Sequence, residues 1–221
     1  MFKEIPELLT REQVAALRQI AAASPFVDGR ISNPHSKVKN NLQLHEAKAY
    51  QRSSQIVLEG LYAHEDFMNF AMPASIAPPM MTRCTRGMHY GSHFDMAYLQ
   101  VPAGALRSDL SCTVFLSDPE TYAGGALRVQ LGTEELRFRG SAGGAVVYPS
   151  DSLHEVEEVT EGERLVAITF IQSRVPDPFR RDILYEIGEV AALEGNGMRY
   201  ENYTRLLRVK QNLLRYWGDK P

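Results

Sequence analysis

The chain has 221 residues, of which 44% are hydrophobic and 23% charged, and its formal net charge is −3. This balance is typical of a globular chain with a sizeable core, and it excludes a disordered or collagen-like chain. The absence of a Lys/Arg block argues against nucleic acid or an anionic membrane as the main partner, since such binding requires a positive footprint. We therefore expect a small-molecule or peptide substrate.

The N-terminal segment has no apolar run of signal-peptide length, because charged residues and Pro6 interrupt it. The longest apolar run, residues 165–171, is far shorter than the roughly 20 residues that cross a bilayer. A cytoplasmic protein without a membrane segment is the expectation. Cys84 and Cys112 form no CxxC pair, so we predict neither a disulfide nor a thiolate zinc site.

Helical periodicity dominates the first region, residues 1–76. Thr10 and Gln13 have the spacing of a capping box, and the apolar residues behind them predict a helix over about residues 10–24. A second apolar stripe predicts a helix over about residues 47–70. We interpret both helices as support for a sheet.

The central region, residues 77–175, consists of short β-branched or aromatic runs separated by Gly, Asp, Pro and Ser clusters. Strands are predicted over residues 81–85, 89–94, 111–116, 126–131, 135–139, 145–148, 154–159 and 164–172. That many short strands favour a sandwich, jelly roll or barrel. Residues 96–108 are interpreted as a loop that acts as a lid and shapes substrate choice.

The last region, residues 176–221, is predicted to be a helical extension whose final helix spans about residues 200–217. The fold class predicted for the whole chain is therefore mainly β with flanking helices (α+β). The final helix carries an apolar stripe made of Tyr203, Leu206, Leu207, Leu213, Leu214 and Trp217. Packing onto the β-core and a homodimer contact are the two interpretations of this stripe.

His93 and Asp95 are two residues apart in a predicted strand, so both side chains project from one face. They can share a metal ion if a third ligand comes from elsewhere, and His154, which follows a predicted strand and a turn, is suited to supply it. Two imidazoles and one carboxylate form the facial triad typical of non-haem Fe(II) oxygenases. The alternative is a hydrogen-bonded His93–Asp95 pair, with His154 as a turn residue.

Arg164 lies ten residues after His154, at the start of an apolar strand. A guanidinium that enters a β-core requires an anionic partner, because a buried unpaired charge is very costly. A dicarboxylate cosubstrate would supply one in bidentate geometry. A salt bridge to Glu157, Glu158 or Asp151 is the structural alternative.

Further polar residues surround these candidates in the sequence. Ser111 and Thr113 lie on a predicted neighbouring strand and could donate hydroxyls to a bound carboxylate, although β-propensity explains a strand Thr equally well. Tyr90 faces away from His93 under strict alternation, so core packing is predicted for it unless a bulge intervenes. Surface or core positions without catalytic work are predicted for His35, His45, His64 and His89.

Nine short segments carry a resemblance to a known family. They are VDGR (27–30), VKNN (38–41), YGSHFD (90–95), DLS (109–111), FLSDP (115–119), YAGG (122–125), YPS (148–150), SLH (152–154) and IQS (171–173). On these segments most of the chain resembles the bacterial PKHD-type hydroxylases. Residues 81–172 resemble the double-stranded β-helix (jelly-roll) core of the prolyl-hydroxylase-like Fe(II)/2-oxoglutarate dioxygenases.

The resemblance implies Fe(II) bound by His93, Asp95 and His154, with 2-oxoglutarate and O2 as cosubstrates and Arg164 on the distal carboxylate of 2-oxoglutarate. It also implies an L-ascorbate requirement, because iron must be re-reduced after uncoupled turnover. Two positions depart from the family pattern. Cys84 stands where the family often has Tyr, and Met96 where it often has a small or amide residue.

The function expected from these patterns is hydroxylation of an unactivated C–H bond in a prolyl-like, peptide or small-metabolite substrate, with release of succinate and CO2. A metal-binding, cupin-like isomerase or small-molecule binding protein without oxygenase activity is the first alternative. A catalytically silent interaction module is the second.

Overall fold

The computed structural model describes residues 1–219. Its helices are α1 (Arg11–Ala23), α2 (Ala47–Ala63), α3 (Glu65–Ala71), α4 (Pro178–Glu194) and α5 (Tyr200–Trp217). The strands before residue 77 are β1 (Lys3–Ile5), β2 (Phe26–Asp28), β3 (Lys39–Asn40), β4 (Leu42–Leu44) and β5 (Pro73–Ile76). The later strands are β6 (Met80–Thr85), β7 (His89–His93), β8 (Tyr98–Val101), β9 (Gly104–Arg107), β10 (Leu110–Phe115), β11 (Tyr122–Gly124), β12 (Leu127–Leu131), β13 (Glu134–Phe138), β14 (Ala145–Pro149), β15 (His154–Val156) and β16 (Val159–Ser173).

Two antiparallel sheets form the jelly roll, which confirms the predicted fold class. The major sheet has the order β1-β14-β10-β16-β6-β4-β2, with β5 and β11 also paired to β16. The minor sheet has the order β13-β12-β15-β7-β3. Strand β16 spans 15 residues and is central to the major sheet, since β10 and β6 lie on either side of it.

The core has two layers, one on each face of the major sheet. Strand β10 is buried at every residue because both of its faces are covered. On one face, Cys112 and Val114 join α1, α2 and α3 in a large apolar cluster. On the other face, Phe115 packs with Leu127 and Val129 of the minor sheet. The space between the sheets that this second cluster leaves open contains the candidate site.

Helix α1 confirms the predicted capping box: the Gln13 amide donates to Thr10 Oγ1, and the Thr10 amide donates to Gln13 Oε1. The prediction of one helix over residues 47–70 is wrong, because α2 ends at Ala63 and α3 begins at Glu65. His64 between them is extended, with φ −90° and ψ 114°. Acidic residues directly after it favour the start of a new helix, where they complement the helix dipole.

The N-terminal region contributes strands as well as helices, which the periodicity did not predict. Strand β1 pairs with β14, β4 pairs with β6 and β3 pairs with β7. Strands of two to four residues are too short to show a period-2 pattern. Division of the chain at residues 76 and 175 stays a prediction.

Residues 96–108 are not the predicted loop, because β8 and β9 pair there as a hairpin. Arg107 at its end forms an ion pair with Asp109 at 2.8 Å, and it also contacts Asp219 at 2.8 Å. The hairpin is thereby fixed to the core and to the C-terminal segment.

Helix α5 packs chiefly against α4, and none of its residues is fully buried. The interpretation that its apolar stripe packs onto the β-core is therefore wrong, since α4 lies against α3 and takes that position. Among residues 1–219, no helix combines the length and apolar character needed to span a bilayer.

Candidate metal centre

Strands β7 and β15 bring the three predicted ligands together. His93 and His154 are paired across these strands, and Asp95 follows the end of β7. One ligand atom from each of the three residues lies within 4.8 Å of the others. His154 Nε2 is 3.8 Å from Asp95 Oδ2. This spacing suits one ion held between two imidazoles and a carboxylate.

Both imidazoles are oriented by the backbone. His93 Nδ1 is 2.8 Å from the Gly91 carbonyl oxygen, and His154 Nδ1 is 3.0 Å from the Ser152 carbonyl oxygen. A carbonyl can only accept, so each Nδ1 carries the proton and each Nε2 keeps its lone pair for a metal. The backbone carbonyl two residues before each ring thus fixes the tautomer that a ligand requires.

Asp95 is held by a row of hydroxyls that sequence reasoning only partly anticipated. Ser111 donates to Asp95 Oδ2 at 2.5 Å, and its hydroxyl lies 2.8 Å from that of Ser150. Ser108 donates to Ser150 at 2.7 Å. The sequence predicts Ser111 as a donor to a bound carboxylate, whereas its partner in the structure is the carboxylate of Asp95.

Burial shifts the pKa of two members of the triad, His93 and Asp95. It lowers the pKa of His93 to about 4, with a smaller contribution from His154, so this imidazole is neutral at physiological pH. It raises the pKa of Asp95, which the Ser111 hydrogen bond and His154 partly oppose. Two imidazole nitrogens and one carboxylate oxygen match the preferences of Fe(II) and leave coordination positions open.

A cavity of about 460 Å³ lies between the sheets beside the triad, within the usual size range of ligand sites. Arg164 on β16 reaches this cavity and is only 3% exposed. Within residues 1–219 its Nε has no hydrogen-bond partner and its guanidinium pairs with no carboxylate. The alternative of a salt bridge to Glu157, Glu158 or Asp151 is therefore wrong.

The unpaired guanidinium fits a dicarboxylate ligand. A buried arginine without an anion is strongly unfavourable, and a carboxylate that chelates a metal at one end and reaches Arg164 at the other would remove this penalty. Thr113 lines the same cavity, as does Tyr148, whose phenol interacts with the Thr113 hydroxyl. Burial raises the pKa of Tyr148 well above its ordinary value, so the phenol stays protonated and can donate.

Tyr90 lies at the metal centre, which corrects the prediction that it packs in the core. Its ring stacks on His93 with centroids 3.6 Å apart. The register between β7 and β15 shifts between His154 and Val156, and this bulge turns Tyr90 to the same side as His93. The bulge depends on pairing with a distant strand, so no local pattern could reveal it.

The two departures from the family pattern occupy different parts of the site. Cys84 is buried in the cavity wall opposite Arg164 in the strand pairing. Met96 is 69% exposed and lies at the mouth of the cavity together with the exposed Phe94. Of the histidines in residues 1–219, only His93 and His154 line the cavity.

Comparisons with known proteins agree with this geometry. Residues 79–172 match the family model of the 2OG-Fe(II) oxygenase superfamily. A PKHD-type hydroxylase of Sphingopyxis alaskensis is 60% identical over 217 residues, which covers 98% of this chain and 99% of that protein. A PKHD-type hydroxylase of Stenotrophomonas maltophilia is 38% identical, covering 99% of this chain and 100% of its own.

Solved structures show the same fold at low sequence identity. A prolyl-4-hydroxylase of Pseudomonas putida is similar with a TM-score of 0.53 and 18% identity, covering 77% of this chain and 92% of its own. The non-haem α-ketoglutarate-dependent epimerase SnoN from nogalamycin biosynthesis is similar with a TM-score of 0.57 and 13% identity. The match covers 79% of this chain and 78% of SnoN.

Proposed function

Since the chain belongs to the PKHD-type hydroxylases of the 2OG-Fe(II) oxygenase superfamily, we propose that it hydroxylates an unactivated C–H bond of a prolyl-like, peptide or small-metabolite substrate, with conversion of 2-oxoglutarate to succinate and CO2. In this proposal His93, Asp95 and His154 hold Fe(II). The bound metal, together with 2-oxoglutarate and O2, supplies the oxidising power for the C–H bond. Family membership decides against the isomerase and the silent interaction module.

The residues of this chain position and shield the reactants. Arg164 pairs with the distal carboxylate of 2-oxoglutarate, and this pairing sets which end of the cosubstrate faces the triad. The Thr113 and Tyr148 hydroxyls interact with each other, and this pair donates a hydroxyl hydrogen bond to the bound cosubstrate. The apolar wall on the inner face of both sheets keeps water away from the reacting atoms.

The single observation that carries the proposal is the buried, unpaired Arg164 guanidinium in the same cavity as the triad. A metal-binding protein without a dicarboxylate ligand has no use for such a group. A charged hydrogen bond contributes about 1.5–3 kcal/mol, which corresponds to roughly tenfold to 150-fold in affinity.

The test is visible absorption of the Fe(II)-loaded protein under anaerobic conditions as 2-oxoglutarate is added. We expect a metal-to-ligand charge-transfer band in the wild type, and at least a tenfold higher 2-oxoglutarate concentration for half-saturation in Arg164→Ala. Arg86→Ala, at an exposed arginine, is the matched control and should behave as wild type. Fe(II) binding without any band in the wild type would rule the proposal out.

A further inference from the structure

Lys39 is a second buried cation in the candidate site. It lies on β3, which pairs with β7, and it is 8% exposed. Its Nζ donates to Ser32 Oγ at 2.7 Å and lies 5.3 Å from the centroid of the Tyr90 ring. Within the described chain, 1–219, no carboxylate reaches ion-pair distance of this ammonium, although Asp28 and Asp95 act on it from farther away.

The environment of Lys39 offsets only part of the penalty of burying its charge. An ammonium has three N–H donors, and Ser32 accepts from one of them. A hydroxyl and the face of an aromatic ring are weaker partners than a carboxylate. Lys39 lines the cavity, so its remaining donors are accessible to a ligand there.

When metal and cosubstrate are bound in the cavity, Lys39 is the charged residue that has no opposite charge to balance it. The charged residues in the cavity wall within residues 1–219 are Lys39, Asp95 and Arg164. With a divalent metal ion and a dianionic cosubstrate bound, the charges of metal, cosubstrate, Asp95 and Arg164 cancel. The cavity then holds the single positive charge of Lys39 in a low-dielectric setting, where it attracts one negative charge strongly.

Lys39 also lies close to the reacting centre. Its ammonium is over the Tyr90 ring, and that ring stacks on the imidazole of His93. A group bound to Lys39 is therefore about one aromatic ring away from a metal ligand, inside the cavity that Phe94 and Met96 also line. A substrate group bound to Lys39 would therefore place the neighbouring part of the substrate close to the metal centre.

We propose that Lys39 binds a carboxylate of the substrate, so that the enzyme selects substrates with a carboxylate near the carbon to be hydroxylated. This inference rests on the proposed function and names the substrate class for the same site. One uncompensated positive charge matches a carboxylate, which carries one negative charge, better than a phosphate monoester, which carries nearly two at neutral pH.

The experiment measures binding of acetate and of its neutral isostere acetamide to the protein loaded with Zn(II) and saturated with 2-oxoglutarate, by saturation-transfer NMR. Zn(II) is redox-inert and keeps the cosubstrate intact. In the wild type we expect at least a tenfold preference for acetate. Lys39→Met, which keeps the length of the side chain but not its charge, should abolish the preference, whereas Lys37→Met at an exposed neighbour should retain it.

Three results would overturn the inference. They are equal binding of acetate and acetamide to the wild type, an unchanged acetate preference in Lys39→Met, and loss of acetate binding as 2-oxoglutarate reaches saturation. The last result would assign the acetate to the cosubstrate position. Failure of the proposed function is recognised separately, because the charge-transfer band of the Fe(II) protein would then be missing in the wild type itself.

Discussion

Ser111 shows how a residue that does not itself coordinate the metal can control a metal site. Its hydroxyl donates to Asp95 Oδ2 and continues through Ser150 to Ser108, both of which are buried. The row of hydroxyls holds Oδ2, the carboxylate oxygen that lies 3.8 Å from His154 Nε2, and thereby fixes the position of Asp95 beside the imidazoles. It also opposes the effect of burial, which disfavours the charged carboxylate.

Replacing Ser111 by Ala should weaken metal binding without unfolding the protein. We expect Fe(II) affinity to fall by about tenfold to 100-fold, the usual effect of removing a hydrogen bond to a ligating group. Calorimetric titration of the metal-free protein measures this affinity. Ser141→Ala, at an exposed serine, is the control and should keep the wild-type value. Equal affinities in all three proteins would show that Ser111 does not support Asp95.

The sequence identified the candidate ligands because their signal is local. Spacing by two puts His93 and Asp95 on one side of the chain, and burial indeed alternates through both residues. Tyr90 was misplaced because the bulge opposite it belongs to the pairing with β15. Lys39 appeared only within a family segment, since a lysine between Val38 and Asn40 carries no sign of burial until β3 joins the minor sheet.

At the scale of elements, the connection between β11 and β12 restricts the side chain of Arg164. Gly125 in this connection has φ +62°, and a Cβ there would lie 2.8 Å from Val159 Cγ2 and 3.1 Å from Arg164 Cδ. A non-glycine residue is thus excluded both by backbone conformation and by space. The connection therefore packs closely against the aliphatic part of the Arg164 side chain, which carries the guanidinium into the cavity.

Gly125→Ala should therefore impair both stability and cosubstrate binding. Gly132→Ala is a matched control, because Gly132 has nearly the same φ, +65°, but nothing within 4 Å of the added methyl group. Both variants should lose about 1 kcal/mol to the backbone conformation, and Gly125→Ala about 1–3 kcal/mol more from crowding. Denaturant unfolding and 2-oxoglutarate titration measure the two effects. Indistinguishable variants would contradict this explanation.

Elements with enough residues to show a period were predictable, and shorter ones were not. The central strands and α1, α4 and α5 follow clear apolar patterns. The two residues of β3 and the three of β1 become strands only because a partner strand accepts their hydrogen bonds. The break at His64 interrupts an apolar stripe that itself continues, which explains why α2 and α3 were predicted as one helix.

For the whole molecule, the buried triad couples folding to pH in the absence of metal. The pKa of His93 is about 4 in the folded chain and near 6.5 when unfolded. Below pH 6.5 the unfolded chain therefore binds a proton that the folded chain does not. Folding stability from this residue is complete above pH 6.5 and is lost as the pH falls towards 4.

Comparison of wild type with His93→Gln tests this coupling. Between pH 7 and pH 4.5 we expect the free energy of unfolding of the metal-free wild type to fall further than that of His93→Gln, because Gln cannot take up a proton. The difference between the two decreases should be on the order of 2 kcal/mol. Denaturant unfolding at a series of pH values gives both curves. Carboxylates titrate in both proteins, so their contribution cancels in the difference between the two stability curves. Parallel curves for wild type and His93→Gln would therefore mean that His93 is not buried as described.

The position of β16 between β10 and β6 has a consequence for how the protein is made. Before residues 159–173 leave the ribosome, the major sheet exists only as two separate halves, β1-β14-β10 and β6-β4-β2. Each half exposes an apolar face and an unpaired edge, which is the condition under which nascent chains recruit chaperones. Because Arg164 is in the strand that joins the halves, the cavity acquires its anion-binding group in the same step that closes the core.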